Sequence, residues 1–211
     1  MGDFLAVDSL SKYTPSNWKE ADSRLNAEIE IGRGVLNQID DALKGVKWKY
    51  YLEGNHEQRL TKWICGTAFR LGQLQCMEVP SLLGLEKRKW RYIYLREQPL
   101  ILGKANFIHG YYANEYHAAK TARETGRNVF YGHTHDHQVM YAKHMPSDKP
   151  HKAVSVGCLC KTDQSYIDSE KPTRWTHGIG IIEFFDDGCF TDYFLPIINY
   201  TVAFNGWVFR G

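Results

Sequence analysis

Three short stretches of this chain carry residues able to do chemistry together. Gly54-Asn55-His56-Glu57 sets an amide, an imidazole and a carboxylate on one turn, Phe107-Ile108-His109-Gly110 ends an apolar run in histidine, and Tyr131-Gly132-His133-Thr134-His135 does so twice. Neutral imidazole is a good metal ligand near neutral pH, and amide and carboxylate oxygens complete sites for ions such as Mn²⁺, Fe and Zn²⁺. A single histidine at a strand end is more often hydrogen-bonded structure than a ligand. The Gly-His-Thr-His element says more, because its imidazoles stand two residues apart beside a glycine that permits close backbone approach, so both reach toward a shared pair of ions.

The elements that must hold these residues are legible from periodicity. Trp48 to Leu52 reads as a strand and Glu57 to about Leu71 as a helix, so the Gly54 turn lies at a helix N-terminus, where N–H groups and the positive dipole end suit phosphate. Arg59, one turn into that helix, is placed to brace a phosphate oxygen, with a surface salt bridge as its plainer use. Alternation predicts strands at Tyr92 to Leu95, Leu100 to Leu102, Ala105 to Ile108, Asn128 to Tyr131, Gln138 to Lys143, Ala153 to Val156, Ile179 to Phe185 and Phe190 to Leu195. A helix is expected from about Asn114 to Thr125, stopped by Gly126. Strands crowd the second half, which predicts antiparallel pairing there.

A longer helical pattern runs from Ser16 to about Leu43, with Trp18, Ala21, Leu25, Ile29, Leu36, Ile39 and Leu43 on one face. Ser16 or Asn17 is its expected N-cap, while Gly32 and Gly34 mark either a break or a close packing contact. Cys76 to Lys89 reads as a loop with one short helix. Lys87 to Tyr92 mixes basic and aromatic residues like a nucleic-acid-facing strip, though such runs are more often a solvated edge leading into a strand.

Composition bounds the rest. The chain has 211 residues, 43% of them hydrophobic and 24% charged, which predicts one soluble domain spanning 1–211. A net charge of +2 excludes a strong general pull toward nucleic acid or membrane, and no apolar run is long enough to span a bilayer. The five cysteines are odd in number and scattered, and no signal-peptide pattern opens the chain, so a reducing cytoplasm is expected. Cys158 and Cys160 fall on one face of an extended segment, and a buried pair of free thiols is expected there rather than a metal site, since no second Cys or His pair stands at zinc-like spacing.

The order Gly2-Asp3, then Gly54-Asn55-His56-Glu57, then His109-Gly110, then Gly132-His133-Thr134-His135 resembles the calcineurin-like metallophosphoesterase superfamily, and Tyr51 to Leu60 resembles its phage and bacterial branch. The resemblance implies a four-layer α-β-β-α sandwich with two mixed β-sheets, here lacking its first strand, and hydrolysis of phosphate esters with two metal ions. Mn²⁺ is the expected metal, with Fe, Zn²⁺ or Ni²⁺ as alternatives. By position, Asp3 would bridge the ions, Asn55, His109 and His133 would hold one, and His135 would help hold the other. His56 would contact the scissile phosphate as catalytic acid or charge stabiliser, with Asn55 and Arg59 beside it. A phosphorylated substrate, nucleotide or nucleic acid included, is the implied partner, in the host cytoplasm if the chain is phage-encoded.

One family motif, an Asp-X-His that supplies two ligands, is missing before Gly2. Three accounts follow: an N-terminally incomplete version of a longer protein, which is favoured; a complete chain binding one ion; or a substitute ligand, with Asp8 as the candidate. A catalytically silent version, in which one half-built metal site recognises phosphate or a phosphorylated partner, is the competing function. A nucleic-acid module without catalysis is weaker, and would show affinity that falls steeply with salt.

Overall fold

The structure, a computed structural model, describes residues 1–10, 18–143, 149–161 and 173–211. Ser16, Asn17 and His144 lie outside them, as do the side chains of Trp18 and Ala21. The protein is mixed α/β, and its described strands form one five-stranded sheet and three two-stranded ones. Length predicts one domain; the contacts gather into two compact units, Met1–Gln98 and Pro99–Gly211.

In the first unit, α1 (Trp18–Ala42), β1 (Lys49–Leu52), α2 (Glu57–Thr67), α3 (Val79–Leu83) and β2 (Trp90–Ile93) follow one another, with β1 and β2 paired in parallel. Helix α1 runs unbroken through both glycines, and packing explains the first: a Cβ at Gly32 would lie 3.0 Å from Leu5 Cδ2. Ile29 and Leu36 are buried, and Leu36 joins Leu5, Val7, Tyr51, Leu60, Ile64, Leu83 and Leu85 in the core. Each such side chain contributes roughly 1.5–3 kcal/mol when removed from water. Helix α2 ends at Thr67, short of Leu71, where Gly66 and Thr67 weaken the last turn and Phe69–Gln73 tightens into a 3₁₀ turn. The short helix expected in the following loop is α3, started by Pro80 and closed by left-handed Gly84.

The basic and aromatic strip alternates: Lys87, Lys89 and Arg91 are exposed, while Arg88, Trp90 and Tyr92 turn partly inward. Arg88 Nη1 and Trp90 Nε1 both donate to Asp40 at 2.8 Å, Lys49 pairs with the same carboxylate, and Tyr92 stacks on Tyr51 with ring centroids 5.3 Å apart. Asp40 thus ties α1 to both strands. Burial pushes its carboxyl up, but the hydrogen bonds from Lys49, Trp90 and Arg88 prevail and hold it below the ordinary carboxylate value. The unfolded chain therefore binds this proton more readily. The stabilisation is complete above the ordinary carboxylate pKa and is lost as pH falls through the lowered folded value. Asp40→Asn should cost about 1 kcal/mol at neutral pH. The loss should shrink in urea titrations near pH 3, and an equal loss at both pH values would refute the linkage.

The second unit is built on a sheet ordered β3-β4-β5-β7-β6. Its strands are β3 (Leu100–Leu102), β4 (Ala105–Ile108), β5 (Asn128–Tyr131), β6 (His137–Ala142) and β7 (His151–Val156), and the central three run parallel. Both faces are covered. Ile108, Val129, Tyr131 and Ala153 pack with Ala122 of helix α4 (His117–Thr125), while Ala105, Phe130 and Val154 pack with Ile182 and Phe190. Those last two residues belong to the antiparallel hairpin of β8 (Gly178–Phe184) and β9 (Phe190–Pro196). Helix α4 starts three residues later than expected and stops at Gly126, which is left-handed.

A second hairpin, β10 (Thr201–Phe204) and β11 (Trp207–Arg210), was not anticipated by the alternation pattern. Its signal was Asn205-Gly206, with φ of 50° and 79°, the pair that a two-residue type I′ turn needs. No helix among the described residues is long and apolar enough to cross a membrane.

Candidate functional site

Three of the expected site residues have unusual backbone, one in the first unit and two in the second. Asp3, His133 and His135 all have positive φ, at 55°, 70° and 64°, a conformation costing a non-glycine residue of order 1 kcal/mol. Such strain persists only where surrounding bonds over-determine it.

In the first unit the determining group is Glu57, the first residue of α2, whose side chain is fully buried. Its Oε2 accepts the N–H groups of Asp3 and Gly54, both at 2.9 Å. Its Oε1 accepts those of Phe4 at 2.7 Å and Leu5 at 3.1 Å, and the Tyr51 hydroxyl at 2.7 Å. One carboxylate therefore folds the Asp3 turn onto the Gly54 turn. Asp3 Oδ1 returns the contact by accepting the His56 N–H at 3.0 Å. Gly54 is required for this approach, since a Cβ there would lie 2.2 Å from Asp3 Oδ1 and 2.4 Å from its nitrogen.

Asn55 and His56 are half-buried on this turn. Arg59 donates from Nη1 to Ala6 O at 2.8 Å and to Asp8 at 2.7 Å, and its Nη2 lies 2.9 Å from His56 Nε2. A guanidinium only donates, so Nε2 accepts and the imidazole proton sits on Nδ1. Burial lowers the His56 pKa, Asp3 opposes, and Arg59 lowers it further, leaving the ring below its ordinary value. Arg59 is thus occupied in bracing the Ala6–Asp8 segment and orienting His56. Asp8, the candidate substitute ligand, is exposed and paired with Arg59.

In the second unit, His109 follows β4, and His133 and His135 follow β5, at the C-terminal ends of adjacent parallel strands. This is where open α/β sheets bind ligands. His109 is buried, and its Nε2 lies 3.1 Å from His133 Nδ1. Two imidazole nitrogens bound to one tetrahedral ion stand about 3.3 Å apart, close to the separation of this pair, which is also that of a hydrogen bond between the rings. Gly110 makes room, since at its φ of 131° an added Cβ would meet His133 Cβ at 2.9 Å.

The turn carrying His133 and His135 rests on a polar network, most of which the sequence did not disclose. Tyr131 Oη lies 2.7 Å from His117 Nδ1, and His117 Nε2 is 2.9 Å from Asp136 Oδ1. Gln138 donates to Asp136 at 2.8 Å, and Ser155 Oγ donates to its main-chain oxygen at 2.6 Å. Burial raises the Asp136 carboxyl, and hydrogen bonds from His117, Thr134 and Gln138 overcome that and hold it low. Asp136 follows the histidine motif directly and was readable as its support. His117 was not, because only α4 packing on the sheet brings it there. His151 and His177 are likewise structural, bonding to the carbonyls of Ala122 at 2.9 Å and Cys160 at 2.6 Å, and His137 Nδ1 lies 2.7 Å from the Ser155 carbonyl.

No family model, curated protein or solved structure matches the chain.

Proposed function

We propose that this protein hydrolyses phosphate esters with a divalent metal, Mn²⁺ foremost, and that phosphodiesters, nucleic acid included, are its substrates ahead of monoesters. The observation that carries this reading is the His109–His133 pair, two imidazole nitrogens 3.1 Å apart at the ends of parallel strands. The order of the histidine and glycine motifs along the chain supports it and assigns Asp3, Asn55 and His135 as further ligands. When bound, the metal supplies an acidified water and positive charge for the phosphate oxygens.

The chain's own residues supply the rest. His109 and His133 would hold the ion, His109 from a buried position. Asn55 and His56 stand at the N-terminus of α2, and Arg59 orients His56 from 2.9 Å while lending positive charge to that turn. Glu57 holds the turn in place. The four-layer sandwich of two mixed sheets belongs to the same proposal.

Dialysis against chelator followed by Mn²⁺ addition should restore turnover of a chromogenic phosphodiester, and faster than that of the matching monoester. Absence of any metal-dependent turnover would sink the reading. One observation favours the alternative of a non-catalytic, single-metal phosphate binder: His56 Nε2 is engaged by Arg59, which leaves Nδ1 as the ring's one proton-bearing nitrogen. That alternative predicts one ion per chain and phosphate affinity without turnover.

A further inference from the structure

The turn joining β3 to β4 is bound to the turn joining β8 to β9. Lys104 N–H donates to Gly188 O at 2.8 Å. Two left-handed glycines permit the approach. At Gly103, φ 52°, an added Cβ would lie 2.7 Å from Gly188 O, and at Gly188, φ 77°, one would lie 3.2 Å from Gly103 Cα. The second turn is fixed in itself: Phe185 N–H donates to Cys189 O at 2.8 Å, Gly188 N–H to Phe185 O at 2.9 Å, and Cys189 N–H to Asp187 Oδ1 at 2.8 Å. Ala105 and Phe190, the next residues along the two strands, pack in one buried cluster.

These contacts set two reactive side chains against each other. Lys104 Nζ donates to Cys189 Sγ at 3.0 Å and to Asp187 Oδ2 at 3.2 Å, so the ammonium is held over the sulfur. Lys104 is exposed and Cys189 half-buried, which leaves the sulfur within reach of a small oxidant.

We infer that Cys189 and Lys104 form a modification site at which hydrogen peroxide makes a reversible sulfur–nitrogen crosslink. In the first step the thiol takes one oxygen atom from peroxide, so that sulfur is oxidised to the sulfenic acid and peroxide is reduced to water. In the second the Lys104 ammonium gives one proton to solvent and its nitrogen attacks the sulfenic sulfur. The S–N bond forms, the S–O bond breaks, and the hydroxyl leaves as water with a second nitrogen proton. Sulfenic acids condense in this way even with a backbone nitrogen. An amine is the better nucleophile, and this one touches the sulfur before oxidation begins. A small thiol reverses the step by attacking the sulfur, which frees the amine. The crosslink ties the β8–β9 hairpin to the sheet between positions 85 residues apart, a long loop of the kind whose closure most restricts the unfolded chain. Neither residue belongs to the phosphoesterase reading, and the inference stands apart from it.

Peptide mapping of the reduced full chain after hydrogen peroxide treatment, digested without reductant, tests this. A peptide pair joined through Lys104 and Cys189 should appear, lighter than the sum of its parts by two hydrogen atoms, and should vanish on adding dithiothreitol. It should persist in Cys65→Ser. Lys104→Arg keeps the positive charge but lacks a nucleophilic amine, so the pair should disappear and trapping of the Cys189 sulfenic acid by dimedone should rise at least fivefold. No linked pair overturns the inference, whether Cys189 stays reduced or passes on to the sulfinic acid. A pair heavier by one oxygen atom overturns the direct sulfur–nitrogen bond, and equal dimedone labelling in native and Lys104→Arg protein overturns the role of Lys104. Should Lys104→Arg fail to fold, the linked pair in the native protein decides.

Discussion

Glu57→Gln is expected to destabilise the protein by about 3 kcal/mol or more and to shift its urea midpoint accordingly. The native carboxylate accepts four main-chain N–H groups and one hydroxyl, all of them donors. An amide keeps one oxygen for these five and turns its NH₂ toward the others, so at least two buried donors lose their acceptor, at about 1–3 kcal/mol each. The charge lost also matters, since N–H groups aimed at an anion bind more strongly than those aimed at a neutral oxygen. Tyr51→Phe is the graded control, removing one donor and leaving the carboxylate with four. It should cost about 1 kcal/mol. A Glu57→Gln protein as stable as the native one would show that the Asp3 turn is held by something other than this carboxylate.

His133→Ala is expected to weaken Mn²⁺ binding at least about 100-fold in calorimetric titration, beyond the loss that removing a mere supporting residue causes. His109 alone then remains of the close imidazole pair, and one nitrogen cannot chelate. His117→Ala separates ligation from support. It deletes the ring between Tyr131 and Asp136 without touching either nitrogen of the pair, so its effect on affinity should be roughly 10-fold, accompanied by a stability loss that His133→Ala does not share. Equal Mn²⁺ affinity in native and His133→Ala protein would remove the central support for a metal at this position.

Much of this was legible in local pattern. The strand endings that deliver His109, His133 and His135, the glycines beside them, and the turn ahead of α2 all follow from short-range rules, because a strand's alternation and a glycine's left-handed freedom are properties of a few adjacent residues. The same rules placed the strand segments of the five-stranded sheet and the stop of α4 at Gly126. Where they were overlooked, as at Asn205-Gly206, the signal was present in the residues.

What only the tertiary structure decided are the partners. Glu57 reads in sequence as one more polar residue of a helix start, and its five donors come from the chain near residue 4, from residue 51 and from residue 54. For Arg59 the sequence offered a phosphate contact or a surface salt bridge, and the structure pairs it with Asp8 and adds Ala6 O and His56 as partners. The basic and aromatic strip is the solvated edge expected ahead of a strand at Lys87, Lys89 and Arg91, but Asp40 claims Arg88 and Trp90 from about fifty residues away. The spacing of Cys158 and Cys160 gave no sign of a neighbouring imidazole, and the parallel pairing of β5 with β7 brings His135 beside Cys160. Sequence periodicity reports which face a side chain takes. Which group meets it there is set by sheet order and helix packing, and those depend on contacts between residues far apart in the chain.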